Sequence, residues 1–104
     1  MLISTTKYDD GDIVSFKLVN GDEIVAKVIE DQSGSWVLSK PCTVLPSPKG
    51  IGLLQSLFTA DQNKNITVQS QHVIMHAATT KEVGNHYLEV TTGIKPVTSG
   101  SIVI

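Results

Sequence analysis

His72 and His76 are the first residues whose spacing could do chemistry. On a helix a separation of four puts both imidazoles on one turn, where they could share a zinc ion. The stretch Ile66 to Met75 reads as strand instead, and four residues at about 3.3 Å each would hold the rings roughly 13 Å apart. His86 lies in a helical stretch with no cysteine and no second histidine, so it too is expected to be an ordinary surface or half-buried residue. Cys42 is the only cysteine. It can form no intrachain disulfide or thiolate cluster and reads as a small buried hydrophobe near a strand end. Asp9-Asp10 with Asp12, Asp22-Glu23 and Glu30-Asp31 supply paired carboxylates. Strand neighbours point to opposite faces and acids beside turns are solvated, so these pairs carry no acid–base chemistry. Neither a Gly-x-Ser-x-Gly elbow nor a phosphate-cradling Gly-x-x-x-x-Gly-Lys loop occurs. The expectation is a protein that is not an enzyme and needs no cofactor.

The composition narrows the class further. A chain of 104 residues accommodates one domain, and the reading is a single domain over 1–104. Apolar runs are only a few residues long, against the roughly 20 that span a bilayer, so no membrane segment is expected. Met1 to Asp12 lacks the basic and apolar regions of a signal peptide, which makes the cytoplasm the expected compartment. All eight basic residues are lysine and the net charge is −2. Without arginine the chain lacks the planar fork suited to phosphate and guanine, and its average field repels a polyanion.

The elements that would position these residues are mostly strands. Ile13 to Val19 alternates, with Val14, Phe16 and Leu18 on one side. Asn20-Gly21 then favours a tight hairpin with positive φ at both central positions, and Ile24 to Ile29 resumes as strand. Ser33-Gly34 ends that strand, and a third runs from Ser35 toward Leu45, with Pro41 marking an irregularity or an edge. Pro46 to Gly50 reads as a loop. Leu53 to Phe58 and Ile66 to Met75 add strand-like runs around the polar cluster Ala60 to Asn65. Val83, Tyr87, Val90 and Ile94 then line one stripe of a helix from about Thr80 to Thr92, with Thr79 and Glu82 as a capping box and Gly93 as its C-terminal stop. Gly84 weakens that helix by roughly 1 kcal/mol relative to alanine. The barrel would span about 12–78, the helix about 80–92 and a mobile tail 95–104, ending in the apolar Ile102-Val103-Ile104.

The run Ile13 to Asp31, continued by Ser35-Trp36-Val37-Leu38, resembles the first motif of the Sm-like proteins, with Leu18, Gly21, Ala26 and Asp31 as its landmarks. Val68-Gln69-Ser70-Gln71-His72-Val73-Ile74-Met75 resembles the shorter second motif, where that family has a tight turn between its last two strands. The resemblance covers about Ile13 to Ala77. It implies an all-β fold: a five-stranded, strongly bent antiparallel Sm-like (SH3-like) barrel, here with one C-terminal helix. Ala26 stands where the family usually has a second glycine, and the spacing to Asp31 is one residue short. A helix at this end resembles a variant among small bacteriophage proteins, including those of cyanophages, which would place the chain in a host cytoplasm.

By that resemblance, copies join edge to edge into a homo-oligomeric ring of roughly five to seven subunits, and function belongs to the ring. The family's uridine site maps onto Ser35 and Gln69-Ser70, beside Asp31, with His72 where the second motif often has asparagine. Its stacking side chain would fall at Ser33-Gly34, so the π-face for a base is missing. The resemblance thus implies RNA as partner through a degenerate uridine site at Asp31, Ser35, Gln69 and His72. The alternative is a protein-interaction or viral assembly module that uses the ring as a scaffold.

Overall fold

In the computed structural model, which describes residues 8–93, the chain is mainly β with one helix. Strand β1 is Ile13–Leu18, β2 Glu23–Gln32, β3 Ser35–Ser47, β4 Gly50–Gln55, β5 Ile66–Gln69 and β6 Val73–Ala78, and α1 is Lys81–Thr92. Six antiparallel strands are present, within the five or six that the residues suggest and one more than the five that the resemblance implies. The order is β4-β3-β2-β1-β6, with β5 paired to β3, so the sheet is not closed into a hydrogen-bonded barrel. The extra strand arises at Ser70–His72, where a 3-10 turn breaks the expected run Ile66 to Met75 into β5 and β6. Strand β3 is the spine: β2 lies along one edge, while the other takes β5 at Ser35–Leu38 and β4 at Cys42–Ser47.

Local chemistry moves several boundaries. Pro46 and Ser47 belong to β3, since proline is tolerated on an edge, and the reversal is confined to Pro48-Lys49; β4 therefore starts at Gly50, not Leu53. In the first hairpin only Gly21 has positive φ (95°). Its N–H bonds the Leu18 carbonyl at 2.9 Å, and Asn20 uses its side-chain oxygen to accept from Asp22 N at 2.9 Å. The loop is thus a turn followed by a glycine bulge, not a two-residue turn with both central residues left-handed. Helix α1 is capped by Thr80, whose hydroxyl accepts from Val83 N. Thr79, expected in that role, instead places its hydroxyl 2.8 Å from that of Ser15. At the other end Gly93 takes the expected left-handed conformation, φ 75°.

The β1–β4 sheet is apolar on both faces. Val14, Phe16, Ile24, Ala26, Val28, Trp36 and Leu38 form the inner core. Val25 and Cys42 form a second cluster on the outer face with Tyr87 of α1, against which Ile13, Val44, Leu53, Val83 and Leu88 pack. Two-sided burial explains why Ile24-Val25-Ala26 is continuously apolar rather than alternating. Full burial of one large apolar side chain stabilises by about 1.5–3 kcal/mol, so Phe16, Leu38 and Tyr87 are major contributors. The helix stripe differs from the expected one: Gly84 and Tyr87 are buried, Val90 is 46% exposed, and Ile94 lies outside the described residues.

Tyr87 also repairs the sheet. Val25 pairs with Cys42 and Lys27 with Ser39, so Lys40 and Pro41 together oppose Ala26 alone. This is a β-bulge at the proline expected to mark an irregularity. Lys40 is the one non-glycine with positive φ (51°) among the described residues, a conformation that costs an L-residue roughly 1–2 kcal/mol. The Tyr87 hydroxyl accepts from Lys27 N at 3.1 Å and shares its proton between the carbonyls of Ser39 (2.8 Å) and Lys40 (3.0 Å). Lys40 Nζ in turn donates to the Thr91 carbonyl at 3.1 Å, placing positive charge at the helix C-terminus.

Candidate functional site

The four residues of the expected uridine site fall in three places. Gln32, Ser35 and Gln69 form one row across β2, β3 and β5, each directly opposite the next. Directly opposed residues share a face of the sheet. Ser35 and Gln69 therefore do meet, and Ser35 Oγ donates to Gln32 Oε1 at 3.2 Å. Asp31 belongs to the adjacent row, Asp31–Trp36–Val68, so its side chain leaves from the opposite face. His72 ends the 3-10 turn, and its carbonyl accepts from Val19 N at 2.9 Å, tying the turn to the end of β1. The row offers amide and hydroxyl groups that could meet a base edge. It offers no cation and no ring, and Gly34 presents only backbone, its carbonyl accepting from Ser70 N at 3.0 Å.

Gln32 is the member of this row that the sequence reading missed; the meeting of the Ser33-Gly34 turn with β5 puts it there. His76, set aside in the sequence as half of a metal pair because its stretch reads as strand, does lie on a strand. It lies opposite Phe16 on β6. Its ring centroid is 5.0 Å from that of Trp36 and 5.5 Å from that of Tyr8, both edge-on. Tyr8 Oη and His76 Nδ1 are 2.8 Å apart, and burial raises the Tyr8 phenol above its ordinary pKa. The parity of Phe16 and the register of β6 could have put His76 beside Trp36. No sequence pattern points to Tyr8.

Among the described residues no cluster of histidine, cysteine and acid side chains could hold a metal ion. The acid pairs are all exposed, Glu30-Asp31 near the end of β2 and the others at or beside turns: Asp12 Oδ2 accepts from Asp9 N at 2.9 Å, and Asp22 Oδ2 accepts from Asn20 Nδ2 at 3.2 Å. Cys42 is buried, and that desolvation pushes its thiol up to about 11, which makes it a poor nucleophile near neutrality. Burial likewise raises the Tyr87 phenol, outweighing the Lys27 N–H that favours its anion.

Two of the concave surfaces among the described residues are roomy. One, of about 260 Å³, lies across β1 and β6 between Phe16, Lys17, Met75 and His76 and reaches Glu23 of β2. The other, also about 260 Å³, is an apolar groove at the mouth of the inner face, between Leu18, Ile24, Leu57 and Val68. Outside them stand exposed apolar side chains: Leu54 on β4, Ile74 and Met75 on β6, and Phe58 (71% exposed) on the loop after β4. Gln55 holds that loop, its Nε2 donating to the Leu57 carbonyl at 2.6 Å while its Oε1 accepts from Gln62. No helix among the described residues is long and apolar enough to cross a membrane. A scan against protein-family models finds no match to this chain, and a search of curated proteins finds none at a significant level.

Proposed function

We propose that the chain is a non-catalytic, ring-forming module of the Sm-like type, working in the cytoplasm as a homo-oligomer of roughly five to seven copies. The observation that carries this reading is the pair of free sheet ends. Strands β4 and β6 are six residues each, each is paired on one side only, and each bears exposed apolar side chains. Unpaired strand edges attract other strands, and β4 of one copy laid against β6 of the next satisfies both. Such a head-to-tail contact closes into a ring when the rotation between copies permits. Gel filtration coupled to light scattering tests it: a single species of five to seven copies is expected, and a monomer at micromolar concentration would overturn the reading.

RNA is the ligand class the resemblance implies, and the row Gln32–Ser35–Gln69 supports a degenerate uridine site there. Affinity requires phosphate neutralisation and base stacking, and this row supplies neither. Weak binding of a fluorescent oligouridine at near-physiological salt is therefore the expectation. Nanomolar affinity abolished by His72→Ala would show an intact site instead. The second reading, a scaffold for another protein, is favoured by Phe58, an exposed aromatic on a loop already held in shape by Gln55. Purified protein free of nucleic acid in its ultraviolet spectrum would favour the scaffold.

A further inference from the structure

The two free edges of the sheet are the ends of one row. His76 on β6, Phe16 on β1, Ile24 on β2, Thr43 on β3 and Leu54 on β4 are each directly opposite the next, so all five side chains leave from the inner face. Free strand edges are ordinarily guarded against pairing by a charge or a proline. Strand β4 has neither, and on β6 the one side chain that can take a charge near neutrality is His76. That side chain is exposed at the edge. Its ring lies against Trp36, 5.0 Å away between centroids, and its Nδ1 is 2.8 Å from Tyr8 Oη. A hydroxyl donates to a neutral imidazole nitrogen and accepts from a protonated one, so this contact holds His76 in place in both states.

We propose that β4 of a second copy covers His76 only while the imidazole is neutral, which makes His76 a proton-operated guard of the β6 edge. The inference rests on the ring reading and adds its regulation. The two edges match in charge on that condition alone. On its inner side β4 offers Gly50, Gly52 and Leu54, so whichever of them comes opposite His76 brings no counter-ion. The charged residue nearest to β4 in sequence is Lys49, another cation. Within the same chain Phe16 and Trp36 are uncharged. Lys17 and Glu23 line the adjoining hollow and are directly opposite each other, so their charges offset. Asp9 and Asp10, beside Tyr8, and Asp31, opposite Trp36, are exposed, and water and salt screen their pull. An imidazolium under β4 would therefore lose hydration without gaining a partner. Histidine changes charge near about pH 6.5. Association is thus complete above that value, and each contact weakens by up to about tenfold per pH unit below it.

The test uses the full chain at micromolar concentration, with gel filtration and light scattering at about pH 8 and about pH 5.5 and far-ultraviolet circular dichroism at both. The parent is expected to be a ring at the first and folded single subunits at the second, reversibly. His76→Gln, uncharged at both, should stay assembled at both, and His76→Lys, charged at both, should assemble at neither. A parent ring that persists in acid overturns the proposal and leaves ring formation standing. A parent that is monomeric at both overturns the ring reading and the proposal together. Acid dissociation that survives His76→Gln assigns the effect to another group, and loss of the folded dichroism in acid assigns it to unfolding; either result overturns the proposal. Should His76→Gln not fold, the imidazole NMR signals of the parent decide instead. Dissociation must follow the titration of the His76 ring, and dissociation that follows His72 or His86 overturns the proposal.

Discussion

The two faces of the β1–β4 sheet are finished by different means. On the outer face α1 covers Val25, Cys42 and Val44, and one phenol answers the backbone groups that the Lys40-Pro41 bulge displaces. Among the described residues no buried side-chain polar atom there or elsewhere is left without a partner. On the inner face the core is equally apolar, yet its mouth stays open between Leu18 and Leu57, and the flanking strands β4 and β6 keep a free edge each. A surface that satisfies itself needs only its own chain. The open mouth and free edges are where further contacts can be made, and the proposed ring contact is placed at those edges for that reason.

The contrast is broken most severely at Tyr87. Tyr87→Ala removes a fully buried ring and leaves one N–H and two carbonyls of the bulge without their partner. A loss of about 3–5 kcal/mol is expected in denaturant unfolding; a change below about 0.5 kcal/mol, the usual surface range, would mean that the helix is a free appendage. Tyr87→Phe keeps the ring and removes only the hydroxyl. Its cost, about 1–3 kcal/mol from unsatisfied buried groups, measures the bulge repair alone.

Alkali should act on this same face. The Cys42 thiol is held up at about 11 in the folded chain, against about 8.5 for an exposed thiol. Above the unfolded value the native state binds more protons than the unfolded state, so stability falls as pH rises. The thiol's contribution is complete below about pH 8.5 and is lost progressively as pH approaches about 11. Unfolding midpoints across that window should decline in the parent and decline less in Cys42→Ala; equal slopes would show that the thiol does not contribute.

A smaller effect of opposite sign is expected at Gly84. A Cβ there would meet Ile13 Cδ1 at 3.8 Å, ordinary contact, so Gly84→Ala should stabilise by up to about 1 kcal/mol through helix propensity. Destabilisation would show that α1 sits closer to β1 than this. Least of all should change at Phe58, 71% exposed. Phe58→Ser is expected to move stability by less than about 0.5 kcal/mol, and a larger loss would show that the loop is part of the core.

Much of the molecule was legible where a residue's own neighbours decide its conformation. Val14, Phe16 and Leu18 alternate because one side of β1 is buried, and Gly93 stops α1 because a left-handed residue costs glycine little. The helix start slipped by one residue because Thr79 and Thr80 are equally good caps, and only the contact of Thr79 with Ser15 on β1 decides between them. Val90 was expected to be buried because helical spacing places it on a stripe, but spacing does not say how far the sheet extends beneath that stripe.

The candidate site divides in the same way. The Ser33-Gly34 turn and the resemblance of two short motifs were enough to bring Ser35 and Gln69 together, since cross-strand register follows from alternation and turn position. They could not show that Asp31 departs from the other face, that Gln32 takes its place in the row, or that His76 lies against Trp36. Pattern along the chain therefore determined the strands, the helix and the absence of metal and nucleophile motifs. The open sheet, the bulge repaired by Tyr87 and the apolar mouth were decided only by tertiary structure. Each joins residues tens of positions apart, and nothing in local propensity encodes which of several apolar faces will meet.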